Sequence, residues 1–155
     1  MIQTMIFDLD GTLVQTEKLK ALSYAKAAVR FCPYSLQESD VVEAFKDVVG
    51  LSRREVAMAL VDRFGLEEKA RSEMVRYGVD TPWQAYVQLR LRLYDEILAD
   101  TDVIRQNQWT HNVALLQAAR NSCRHVGLAT MSYCSQVRRV LQILELTDAF
   151  RCQPG

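Results

Sequence analysis

The chain has 155 residues, 49% apolar and 25% charged, which suits one globular domain or a core with a small insertion and excludes a disordered chain. Its 19 basic residues balance 19 acidic ones, so no net positive field favours nucleic acid or an anionic membrane surface. No stretch approaches the ~18 apolar residues that a membrane helix needs.

Several smaller features point the same way. The apolar start from Met1 to Phe7 is too short for a secretion signal and lacks its cationic opening. Cys32, Cys123, Cys134 and Cys152 show no C-x-x-C spacing and no paired histidine ligands. Free thiols in a reducing cytoplasm are the plain expectation. Nothing points to an oligomeric state.

In chain order, residues 2 to 7 read as a short strand buried on both faces of a parallel sheet. Residues 8 to 12 break the apolar run, with Gly11 available for a turn. Helical patterns then dominate to about residue 98. Ala21, Leu22, Ala25, Ala28 and Val29 mark an apolar face, and Pro33 ends that helix. Ser35 with Glu38, and Ser52 with Glu55, have capping-box spacing; Gly50 and Gly65 would end the two helices. A further helix is expected from 67 to about 77, before Gly78. Thr81-Pro82-Trp83-Gln84 opens the next, which carries Val87, Leu91, Leu93, Tyr94 and Leu98.

Residues 100 to 112 are more polar and read as a connector, with Thr110 capping a helix through Val113, Leu115, Leu116 and Ala119. A second buried strand follows at 126 to 129, ending in Thr130-Met131-Ser132. Residues 136 to 146 read as a helix, with Val137, Val140, Leu141 and Leu144 inward. Residues 149 to 152 could begin a third strand. This alternation argues for an open α/β sheet, although two or three strands are few where about five or six are usual.

The sharpest feature is Asp8-Leu9-Asp10-Gly11-Thr12-Leu13 at the end of the first strand. Ligands of open α/β sheets bind beyond the carboxyl ends of strands. If the chain stays extended, Asp8 and Asp10 face the same side. Two ionised carboxylates in one site repel, and Mg2+ is a natural cation for a pair that also meets phosphate and water. One carboxylate can attack phosphorus while the other protonates the leaving oxygen. The amides of Gly11 and Thr12 would help hold phosphate oxygens. An acidic surface turn is the plainer alternative.

Asp-x-Asp-Gly-Thr after an apolar strand resembles the first motif of the haloacid dehalogenase superfamily. The resemblance implies a Rossmann-like parallel core with an inserted helical cap. It makes Asp8 the nucleophile, forming an aspartyl-phosphate, and Asp10 the acid/base, with Mg2+ bound at Asp8 and Asp10. Thr130, after the second apolar strand, resembles the second motif, and Ser132 fits its Thr/Ser-x-Ser variant; both would bind phosphate. A helix-entry role for Thr130 is the alternative.

The helical stretch resembles the cap of the β-phosphoglucomutase and phosphoglycolate phosphatase branch. Residues 1–15 and 100–155 would then form the core and 16–99 the cap, which closes over the site and selects a small phosphorylated metabolite. Gly50-Leu51-Ser52-Arg53 resembles a cap loop whose Arg binds the substrate, although Arg53 also suits an exposed first helical turn. The mutase pattern is broken, because Gln15-Thr16 leads to Lys20 where a His is expected. That favours a plain phosphatase over a sugar-phosphate mutase. His111 and His125 fall outside any motif.

The family also uses a Lys and further carboxylates after the second motif. No Lys follows Lys69, no acidic pair follows Asp148, and Arg138, Arg139 and Arg151 match no motif. The resemblance therefore covers the front two-thirds of a family domain. The expectation is an enzyme whose polypeptide continues past Gly155, with little turnover from these residues alone. The alternative is a shortened, non-catalytic module that binds a phosphorylated ligand or a protein partner.

Overall fold

The computed structural model describes residues 2–32, 34–130, 132 and 134–150. In chain order its elements are β1 (Thr4–Phe7), α1 (Thr16–Phe31), α2 (Glu38–Phe45), α3 (Arg53–Arg63), α4 (Glu67–Ser72) and α5 (Met74–Tyr77). Then follow α6 (Pro82–Ala99), α7 (Thr101–Gln106), α8 (Thr110–Ser122), β2 (His125–Leu128), α9 (Cys134–Ile143) and a 3-10 turn at Thr147–Ala149. The chain divides into two compact units, Met1–Thr16 with Asp100–Gly155, and Glu17–Ala99. The fold is α/β, a small parallel sheet with helices and an inserted helical cap. Among the described residues no helix is long and apolar enough to cross a membrane.

In the first unit β1 pairs in parallel with β2, Thr4 opposite His125 and Phe7 opposite Leu128. The ladder is extended by His125 N–H to Gln3 O at 3.0 Å and Ala129 N–H to Phe7 O at 2.9 Å. Parallel strands need a long crossover, and here it contains the whole helical unit with α7 and α8. The expectation of a strand buried on both faces is corrected: Phe7 is buried, but Ile6 is 68% exposed. Only two strands pair among the described residues, and Thr4 and Ile6, which share one face of β1, are exposed.

The expected third strand at 149–152 falls partly outside the described residues. Residues 147–149 form the 3-10 turn, and 151–152 lie outside the described residues, as do Pro33 and Met131. The polar connector contains α7 instead, capped by Asp100 Oδ1 accepting from Asp102 N–H at 2.9 Å. Ile104 is its buried anchor. α8 begins at Thr110 with Trp109 as N-cap, so the Thr110 side chain does not cap it.

In the helical unit one core runs from Ala21 through Leu60, Leu66 and Tyr86 to Leu93. Ser52 and Glu55 form the expected capping box at the start of α3. The box expected at Ser35 is absent: α2 starts after Gln37, which makes no side-chain cap. Gly50 does not end α2, whose C-cap is Lys46. The helix expected from 67 to 77 is split at Glu73 into α4 and α5, and Gly78, at φ 62°, caps the second piece. Gln84 Oε1 accepts from the N–H and hydroxyl of Thr81, which fastens the start of α6.

Candidate functional site

Asp8 follows the last residue of β1, and Thr130 stands two residues beyond β2. Because the strands are parallel, both carboxyl ends open at one edge of the sheet, where ligands of such sheets gather. A tight turn follows Asp8. Leu9 O accepts from the amides of Thr12, Leu13 and Val14 at 3.3, 3.0 and 3.2 Å, and Gly11 N–H donates to Val14 O at 2.8 Å. Leu9, Leu13 and Val14 are buried, which pins the turn while Asp8 stays exposed and Asp10 half-buried. Gly11 sits at φ 75°, a left-handed conformation that costs glycine little.

The 9–14 turn is held from α7 and α8. Asn107 O accepts from Gln15 N–H at 2.8 Å, Trp109 N–H donates to Leu13 O at 2.8 Å, and Asn112 Nδ2 donates to Thr12 O at 2.8 Å. Sequence reasoning missed Asn107 and Asn112, because they lie in or beside the stretch read as a polar connector. For Asn112 the one available signal was type, since Asn side chains commonly bond backbone at turns; Asn107 acts through its backbone carbonyl, which residue type does not reveal.

Across the sheet edge, Thr130 Oγ1 donates to Asp10 Oδ2 at 3.4 Å, and Ser132 Oγ donates to the same oxygen. Ser132 N–H in turn donates to Thr130 Oγ1 at 3.1 Å. The structure thus brings Asp10, Thr130 and Ser132 into direct contact. Asp8 sits two residues away, its Oδ1 accepting from Leu9 N–H at 2.7 Å. The amides of Gly11 and Thr12, expected free for phosphate, are both used inside the turn. A tight turn consumes these donors, whereas the Leu9 amide already points at the Asp8 carboxylate.

Metal chemistry follows from the same donors. Two carboxylates suit Mg2+, which takes one or two protein carboxylates and fills its octahedron with phosphate oxygens and water. Among the described residues no group of three or more His, Cys, Asp and Glu can hold a metal ion. Asp8 and Asp10 are the two carboxylates here that could contribute to holding such an ion. No ion pair reaches either residue among the described residues; Arg138 and Arg139 are exposed on α9, and Lys20 is paired with Glu17 at 2.7 Å.

A family model for haloacid dehalogenase-like hydrolases matches residues 5–152. The chain belongs to the haloacid dehalogenase-like hydrolases. A comparison with curated proteins returned no match. Among solved structures, the chain is similar to YfnB of Bacillus subtilis, described as a HAD-hydrolase and solved with bound magnesium. The TM-score is 0.55 at 14% identity, over 97% of this chain and 63% of that one. Such a likeness carries the fold, and this chain spans 63% of that relative's length. The haloacid dehalogenase fold accounts for the mixture of a small parallel sheet and a long helical insertion.

Within the helical insertion of this haloacid dehalogenase-like chain, Arg53 is exposed in the first turn of α3. Near it stands a residue that sequence reasoning missed. Arg90 of α6 is 5% exposed, its guanidinium 4.8 Å from the Tyr24 ring centroid and 4.6 Å from that of Tyr94. No carboxylate pairs with it among the described residues, and its buried Nε has no hydrogen-bond partner. Burial holds the Arg90 pKa below its ordinary value, opposed by the neighbouring tyrosines, while Arg53 lowers it further. Burial likewise raises Tyr24 and pushes Tyr86 well above the ordinary tyrosine value.

Proposed function

We propose that the chain carries the nucleophile and acid/base half of a Mg2+-dependent phosphatase acting on a small phosphorylated metabolite through an aspartyl-phosphate at Asp8. The contact of Asp10 with Thr130 and Ser132 carries this reading, because it ties the motif after β1 to hydroxyls after β2.

In this mechanism an Asp8 carboxylate oxygen attacks phosphorus, the bond to the ester oxygen breaks, and Asp10 gives that oxygen a proton. Asp10 then takes a proton from the water that cleaves the acyl-phosphate. Its hydroxyl partners suit both steps. They donate to Asp10 while it is ionised; once it is protonated it can donate to one of them, which frees that hydroxyl's proton for a phosphate oxygen. The Leu9 amide, aimed at Asp8, is placed to hold the transferred group. Mg2+, when bound, offsets the charge of two carboxylates and a phosphate.

For Arg53 the proposed role is to bind an anionic group of the substrate, and Arg90 adds a second positive charge beside it. We assign phosphatase over mutase because Lys20 is engaged by Glu17 and cannot shuttle protons as a His would. Gly11 serves the turn's geometry, and Thr12 is left without a free amide for phosphate. The reading includes a soluble small-molecule partner, with no nucleic-acid or membrane partner, in the cytoplasm.

The described residues put no cation and no third carboxylate with Asp8 and Asp10, so transition-state charge is poorly offset. We therefore expect slow turnover from the 155 residues. The same observation favours the second reading, a non-catalytic module that binds a phosphorylated ligand or a protein partner. A steady-state phosphate-release assay with generic esters and Mg2+ separates the outcomes. Slow release that disappears in Asp8→Asn supports the phosphatase. Release insensitive to Asp8→Asn overturns it, and turnover in the ordinary enzyme range of roughly 1 s⁻¹ or more overturns the expectation of slowness.

A further inference from the structure

The helical unit holds a cavity of about 330 Å³ that the motif chemistry does not use. That size is at the small end of ligand pockets. Its wall draws on four helices: α1 supplies Arg30 and α4 supplies Lys69, while α5 and α6 supply Arg76 and Arg92. Two carboxylates also line it. Glu73 is already engaged, with Arg76 at 3.2 Å and Lys69 at 3.9 Å. Glu96 forms no ion pair among the described residues, and neither does Arg30 or Arg92.

Four positive groups against two negative ones leave an excess of two, gathered from elements far apart in sequence. A solvated helix face ordinarily intersperses its charges with partners at i+3 or i+4, as Arg71 does with Glu67. Arg30 has no carboxylate at those spacings, and Arg92, with Asp95 and Glu96 at i+3 and i+4, forms an ion pair with neither among the described residues; their forked donors suit a phosphate bidentately. The cavity also has an apolar part. Phe31 and Leu89 are buried in its wall, and the Arg76 guanidinium lies 5.7 Å over the Tyr77 ring.

We propose that this cavity is a binding site for a small organic phosphate dianion. The phosphate sits between Arg30 and Arg92, with Lys69 and Arg76 adding charge, and the apolar part of the ligand lies against Tyr77. Every residue involved belongs to the Glu17–Ala99 unit, so the site is independent of Asp8 and of the phosphatase reading.

The test titrates the full chain with phenyl phosphate by calorimetry in EDTA, with inorganic phosphate and phenol as comparison ligands. Expected is saturable binding of phenyl phosphate, tighter than either comparison ligand. It weakens about tenfold or more in Arg30→Ala/Arg92→Ala and is retained within a few-fold in Arg30→Lys/Arg92→Lys, both checked for native circular dichroism. Asp8→Asn binds as the parent does. The proposal is overturned by no saturable binding, by parent-like binding in the double alanine variant, by phenol binding as tightly, or by loss of binding in Asp8→Asn.

Discussion

Ser132 and Asp10 lie 122 positions apart in sequence, yet the Ser132 hydroxyl donates to Asp10 Oδ2. The contact exists because β1 and β2 run parallel and end together, so the residues after each strand meet at one edge. Ser132 is thereby a positioning residue for the carboxylate that moves the proton. A hydrogen bond to a charged group contributes about 1.5–3 kcal/mol. Ser132→Ala is therefore expected to slow phosphoryl transfer by roughly tenfold or more. Thr130→Ala, which removes the longer 3.4 Å contact, should slow it less. Single-turnover rates of the two variants check this, and parent rates in Ser132→Ala would contradict it.

Gly11 is expected to resist substitution for a backbone reason. A Cβ there meets no atom within 4 Å, but φ is 75°. Gly11→Ala should cost about 1 kcal/mol of stability from the left-handed conformation alone. Gly11→Val should cost more, because branching at Cβ worsens the same conformation. Thermal or urea unfolding of both variants reads the difference, and equal stability of all three chains would be the contrary result.

The buried tyrosines of the helical unit predict alkaline sensitivity. Burial raises Tyr24 above its ordinary 10.0, partly offset by Arg90 and Arg53, and raises Tyr86 further. The unfolded chain releases these protons first. Stability is thus fully present below about pH 10 and lost as the pH rises from there through the folded values. Unfolding midpoints should fall more steeply above about pH 10 in the parent than in Tyr24→Phe. Parallel profiles would count against burial as the cause.

Tyr86 also donates to the Tyr24 carbonyl oxygen at 2.8 Å in the interior. Tyr86→Phe should lower stability by roughly 1 kcal/mol at neutral pH, because it removes that buried hydrogen bond. Urea unfolding measures this, and an unchanged midpoint would refute it.

Much of the site was legible in the chain because its chemistry is local. Asp8, Asp10 and Gly11 lie within four residues, directly after an apolar run, and Thr130 and Ser132 sit in the same way after the second run. The turn's hydrogen bonding was not legible, since nothing in the residue types says that Gly11 N–H goes to Val14 O rather than to a ligand. α7 was missed because Ile104 is its one fully buried side chain, which leaves no apolar period to detect. Arg90 was invisible for the opposite reason. It lies between Leu89 and Leu91 on a helix apolar around most of its circumference, so its burial beside Tyr24 depends on packing. Ser35 had the spacing of a cap but loses the position to Gln37, two residues later.

The most direct measurement is the intact mass of the chain after exposure to acetyl phosphate and Mg2+. The predicted result is a species heavier by one phosphoryl group, mapped to Asp8 by peptide analysis and absent in Asp8→Asn. In Asp10→Asn the adduct should decay more slowly by about 100-fold, the scale of a lost general base for the hydrolysing water. No adduct on the parent chain, or an adduct that persists in Asp8→Asn, would contradict a nucleophilic Asp8.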